Sequence, residues 1–208
     1  MTQLDTKRRT IENHMKYRCA CIAVMCGMSA YDWFTHSLYE PITTERWNVS
    51  GANIVVCLLY MTWDTWAMVG GVNRTILYRT ELLIHHVISI ASFSRGLYFV
   101  PLITSRDLIC ESISLLNYTL RDAPNEPTLH WYRLATIFLI RLPVSIGTPI
   151  FYYMNGYLLE PSSADTGVSI KTYQITLCIT HAFFVIYDLI LIRKITGVMR
   201  KKKLELYD

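Results

Sequence analysis

The sequence predicts an all-α, polytopic membrane protein: a bundle of about six transmembrane helices around a lipid-facing cavity. Three observations lead there. Apolar residues make up 52% of the 208, and they come in runs of about 20, the length that crosses a hydrocarbon layer. Ionisable side chains recur inside those runs at helical spacing, as they do where membrane helices line an interior. Lys and Arg gather mainly at the two ends of the chain, where charge flanks membrane spans. Basic ends alone would also suit nucleic acid, but with these apolar runs between them no nucleic-acid partner is expected.

Residues 1–16 form a basic N-terminal segment, with Lys7, Arg8, Arg9 and Lys16. The first span runs from Cys19 to Leu38 and continues through Tyr31, Trp33 and Phe34, too far for the short apolar core of a signal peptide. Asp32 and His36 lie four apart near its far end, where an interfacial pair would meet headgroups. A loop over residues 39–51 holds Pro41, Glu40, Glu45 and the glycosylation tripeptide Asn48-Val49-Ser50. The second span covers about Ala52 to Val72, with Tyr60 and Asp64 on one face, and Gly70-Gly71 weakens its end.

The third span, about Leu82 to Val100, carries His85-His86. Adjacent residues on a helix point about 100° apart, so the two imidazoles address two walls of one interior, or one partner helix and one ligand. His85, Ser89, Ser92 and Gly96 make a small, polar face that admits a close neighbour, while Leu83, Val87, Ile90 and Leu97 can meet lipid. Pro101 ends this helix. The fourth span, near Ile103 to Leu120, repeats Asp107, Glu111, Ser114 and Tyr118 at i, i+4, i+7 and i+11, with Asn117 beside them. Such a helix face reads as the lining of a wet or ligand-filled interior; a short interfacial helix is the alternative.

Residues 121–130 connect to a fifth span, about Trp131 to Met154, in which Pro143, Gly147 and Pro149 predict kinks. Arg141 inside it needs a partner, and Glu111 and Asp107 are the candidates. A polar loop over residues 155–171 leads to the sixth span, Thr172 to Ile192, with His181, Phe184 and Asp188 on one face. Residues 196–208 form a basic tail suited to anionic headgroups. The basic ends place both termini in the cytoplasm. The six cysteines show no C-x-x-C pair and no zinc spacing, so they read as small apolar side chains, and no metal site is expected.

Imidazoles are general bases near neutral pH, and Asp64, Asp107 or Glu111 could orient one. Acyl transfer is therefore one reading of His85 and His86. Two adjacent histidines do not converge on one ion as an i, i+4 pair does, which weakens a metal reading. Imidazoles hydrogen-bonded between helices are the structural alternative, and a transporter working through Asp64, Glu111 or Arg141 is a further one.

The run Glu81-Leu82-Leu83-Ile84-His85-His86, the element from Tyr60 to Asp64, and the segments from Asp107 to Glu111 and from Ser112 to Asn117 resemble the TLC domain family, which includes the ceramide synthases. The resemblance covers about residues 15 to 195, so residues 17–195 would be a TLC-like transmembrane domain. It implies a six-helix bundle around a cavity open to lipid, and the polar helix faces make Tyr60, Asp64, Glu111, Asn117, Arg141, His181 and Asp188 its candidate lining. In ceramide synthases the paired histidines and two later aspartates join an acyl chain from coenzyme A to a sphingoid base. His85 and His86 match the histidines and Asp107 the second aspartate. The first aspartate falls on Thr104 and the histidine before it on Ile103. The chain therefore looks more like the small TLC-domain proteins, linked to membrane lipid homeostasis, binding and sensing. Membrane lipids are the partners implied, with homo-oligomers left open, and the endoplasmic reticulum is the implied membrane. No cofactor is expected beyond acyl-coenzyme A as co-substrate of an acyltransferase.

Overall fold

A computed structural model describes the backbone of residues 3–70, 80–122 and 126–205, and side chains over 12–70, 80, 82–117, 126 and 128–200. Features expected at Lys7, Arg8, Arg9, Gly71, Glu81 and Tyr118, and in the basic tail beyond residue 200, lie outside these side chains. Every regular element among the described residues is helical. Three helical stretches are long and apolar enough to cross a membrane: Val49–Gly70, Thr128–Met154 and Ile170–Arg200. They correspond to the second, fifth and sixth expected spans.

The chain forms two compact units. The first comprises Met1–Ser37 and Thr43–Leu108. Its helices are α1 (Gln3–Thr35), α2 (Val49–Gly70), α3 (Thr80–Phe99) and α4 (Pro101–Asp107). Helix α1 packs on α2 and α4, and α3 packs on α2 and α4. In α1 the buried side chains His14, Arg18, Ile22, Met25, Ser29 and Asp32 recur at three and four residues, a single stripe. Asn48 starts α2: its side-chain oxygen accepts the Gly51 amide at 3.0 Å, satisfying an otherwise orphan donor.

Pro101 does end α3, but the helical path restarts at once, because proline suits a first helical position. Gly96 makes this possible: a Cβ there would collide with the Thr104 side chain of α4. Gly96→Ala should therefore cost about 1–3 kcal/mol through overpacking, read as a lowered midpoint in thermal unfolding of the purified protein.

The expected fourth span is not one helix. The path runs through α4, a 3-10 turn over Leu108–Glu111, and then α5 (Ser112–Asp122). The tighter turn breaks the i, i+4 register, so Asp107 and Glu111 do not share a continuous α-helical face. They belong to different units.

The second unit comprises Leu38–Ile42 and Ile109–Asp208. Helix α6 (Pro127–Thr136) begins at Glu126, whose side chain accepts the Thr128 amide at 3.1 Å. A π turn over Ile137–Arg141 then leads into α7 (Leu142–Met154). Pro143 accounts for the widened turn: it offers no amide to the carbonyl four residues back and its ring crowds that carbonyl. The Leu142 amide reaches Ile137 instead. The expected loop over 155–171 is largely helical, with a 3-10 turn at Gly156–Leu159 and α8 (Glu160–Thr166). Gly167, at φ 68°, closes α8 in the left-handed conformation that glycine adopts without strain. Segment 38–42 ties onto this region: the Ile42 amide donates to the Leu158 carbonyl at 2.7 Å, and the Ser162 amide to the Ile42 carbonyl at 3.1 Å. Helix α9 (Ile170–Glu205) runs past the expected end of its span into the basic tail. Ile113, Leu134, Ile137 and Ile195 form a core joining α5, α6 and α9.

Candidate functional site

In the first unit, Asp64 projects from α2 with its side chain fully buried. A carboxylate in such surroundings needs charge and hydrogen bonds to hold it. Helix α1 supplies both. The Arg18 guanidinium lies 2.8 Å from Asp64 Oδ2, and His14 Nε2 lies 3.0 Å from Oδ1. The Trp63 indole N–H donates to His14 Nδ1 at 3.2 Å. A neutral imidazole with its proton on Nε2 satisfies both contacts, accepting from Trp63 and donating to Asp64. Helix α3 brings a third partner: His86 Nε2 is 3.6 Å from Asp64 Oδ2. The Nδ1 of His86 meets the Thr65 hydroxyl at 3.2 Å.

Tyr60, one turn before Asp64, sets its ring edge-on to His86 with centroids 6.4 Å apart. The His85 and His86 rings lie 5.8 Å apart, and both residues are buried. The sequence-predicted residues Tyr60, Asp64, His85 and His86 thus come together. Asp107, half-buried, sits in the last turn of α4 in the same unit. The carboxylate beside His86 is Asp64.

His14 and Arg18 are the residues that reading the sequence missed. They fall in the basic flank before the first apolar run. The signal was present: their four-residue spacing continues the stripe through Ile22, Met25, Ser29 and Asp32. Asp32 itself is fully buried rather than open to its surroundings, with His36 Nε2 4.0 Å from its Oδ1. Arg106 from α4 closes the end of α1 by donating to the carbonyls of His36 at 2.6 Å and Ser37 at 3.2 Å. A cation there also complements the negative end of the helix dipole.

In the second unit, Arg141 pairs with Asp188 of α9, with Nε 2.6 Å from Oδ1, and the expected partner Glu111 lies within its electrostatic reach as well. Its Nη1 donates to the Cys110 carbonyl at 2.7 Å. The π turn ends at Arg141, so the irregular backbone fixes where the guanidinium emerges. Glu111 accepts from the Ser114 hydroxyl at 3.2 Å, and Asn117 is half-buried on α5. His181, also buried, donates through Nδ1 to the Leu177 carbonyl at 2.8 Å. Glu111, Asn117, Arg141, His181 and Asp188 thus all belong to this unit. Among the described residues no three His, Cys, Asp or Glu side chains group as a metal-binding set.

No family model matches the sequence, and neither the curated proteins nor the solved structures hold a match.

Proposed function

We propose that this chain is a TLC-type integral membrane protein that binds membrane lipids and acts in lipid homeostasis, with the Asp64 cluster as its working site. The supporting observation is the cluster itself. Two histidines, an arginine and an aspartate are buried together, with the aspartate on a helix long and apolar enough to cross a membrane. Charged groups inside membrane helices are costly, and they mark sites of function more often than sites of packing alone. In this reading six helical passes surround a lipid-facing cavity, both termini are cytoplasmic, and the membrane is that of the endoplasmic reticulum. The basic flanks support that orientation. His14, Arg18, Asp64 and His86 would recognise the polar part of a lipid.

A second reading, acyl transfer, is favoured by the Asp64–His86 approach. A carboxylate beside an imidazole orients the ring and stabilises its protonated form. An amine or hydroxyl of the acceptor lipid would attack the acyl-coenzyme A thioester carbon, with a histidine taking its proton. The C–S bond would break and the coenzyme A thiolate would leave, taking up a proton in turn.

One experiment separates the two. Purified protein is given labelled acyl-coenzyme A and a panel of lipid amines and alcohols, beside folded His85→Ala and His86→Ala variants, and co-purified lipid is identified in parallel. Lipid binding without chemistry predicts a bound lipid, lost in His86→Ala, and no transfer to any acceptor. Transfer that disappears in the variants selects the acyltransferase. Neither bound lipid nor transfer would overturn both.

A further inference from the structure

We propose that the groove between α7 and α9 holds one acyl chain of an anionic phospholipid whose headgroup rests on Arg193 and Lys194. The proposal rests on the membrane reading of these helices, and it is independent of chemistry at Asp64.

The groove has a volume of about 480 Å³, within the range of small-ligand sites. Its walls include Ile146, Pro149 and Ile150 from α7, and Ala182, Val185 and Ile186 from α9. Of its polar members, Ser145 and His181 are recessed, only 5% and 3% exposed, while Tyr153 is exposed. The His181 Nδ1 proton is already engaged by the Leu177 carbonyl. Both walls belong to stretches long and apolar enough to cross a membrane, so the medium that meets this groove is hydrocarbon.

Charge picks the occupant. A second hollow of about 440 Å³ follows on α9, lined by Ile190, Arg193, Lys194, Gly197 and Val198. The two hollows follow one another along α9: Ile186 lines the first and Ile190, one turn later, lines the second. From Val185 to Arg193 is about 12 Å along the helix axis. That separation suits a chain reaching inward from a headgroup at the membrane surface. Arg193 and Lys194 are both exposed at this level, and adjacent cations at a membrane surface attract anionic headgroups. Gly197, one turn beyond Arg193, adds no side chain to fill the second hollow.

The test is native mass spectrometry of the full chain after equilibration with vesicles of dioleoyl phosphatidylserine and dioleoyl phosphatidylcholine in equal amounts. Wild type should retain one phosphatidylserine per chain, preferred over phosphatidylcholine on the order of tenfold. Ala182→Trp fills the groove and should lower retention of both lipids about tenfold. Val185→Trp fills it from a second position and covers the case in which the first variant does not fold. The double variant Arg193→Gln with Lys194→Gln should keep a chain in the groove and lose the preference for phosphatidylserine. Equal retention of the two lipids by wild type would overturn the proposal. So would full retention in a folded tryptophan variant, or a lipid-free dimer mass showing that the groove seats a second copy. Retention is read without acyl-coenzyme A and on variants remote in sequence from His86. Failure here therefore leaves the reading of the Asp64 cluster standing, and loss of that reading leaves this groove testable.

Discussion

Asp64→Ala should destabilise the protein by about 3–5 kcal/mol, the cost of breaking a buried ion pair from one side. The loss exceeds one contact because the carboxylate is shared. Arg18 would keep its charge in a buried position with its 2.8 Å partner gone. His14 would lose the acceptor of its Nε2 proton while Trp63 still donates to Nδ1. His86 would lose the group that faces its Nε2. Asp64→Asn, with the same shape and no charge, should fall between wild type and alanine, since the amide can still accept one hydrogen bond. Denaturant or thermal unfolding of the purified protein reads the order. An alanine variant within about 1 kcal/mol of wild type would show that the cluster is solvated and worth no more than a surface ion pair.

The second large effect is expected at Arg141. Arg141→Met should also cost about 3–5 kcal/mol, because Asp188, fully buried, would lose its 2.6 Å cationic partner. Adding Asp188→Leu should recover most of that loss, since replacing both members of a buried pair by apolar groups of similar volume is often neutral or stabilising. The double-mutant cycle isolates the pair from the remaining contacts. The Cys110 carbonyl, which accepts from Arg141 Nη1, loses its donor in the single and in the double variant alike. Its cost therefore does not cancel in the double variant and sets how far recovery falls short. A double variant as unstable as the single one would place the stabilising role of Arg141 in the Cys110 bond.

The two clusters differ in how legible they were in the sequence. Helical spacing was enough to put Tyr60 beside Asp64, and to set His85, Ser89 and Gly96 on one face. Spacing speaks only within a helix, however. That His14 and Arg18 would meet Asp64 depends on how α1 packs on α2. Their hydropathy resembles that of any membrane-flanking charge, which hid a stripe that runs unbroken from His14 to Asp32. That Arg141 pairs most closely with Asp188 was hidden for a related reason. A π turn before Pro143 and a 3-10 turn before Ser112 each shift the direction of the side chains that follow. Local patterns marked Pro143 as a site of distortion but could not say how the backbone would absorb it. The loop expected at 155–171 misled through composition: Pro161, Ser162, Ser163 and Gly167 are turn residues, yet they also start and stop a short helix.

Helix α9 spans 36 residues, about 54 Å of rise, against roughly 30 Å of hydrocarbon. No glycine-proline joint or loop separates the groove at Ala182 from the lysines and arginines beyond Ile192. The tail is accordingly a lever and not a tether. The basic end and the wall that carries Ala182, Val185 and Asp188 lie on one unbroken helix, so a displacement of either is shared by the other.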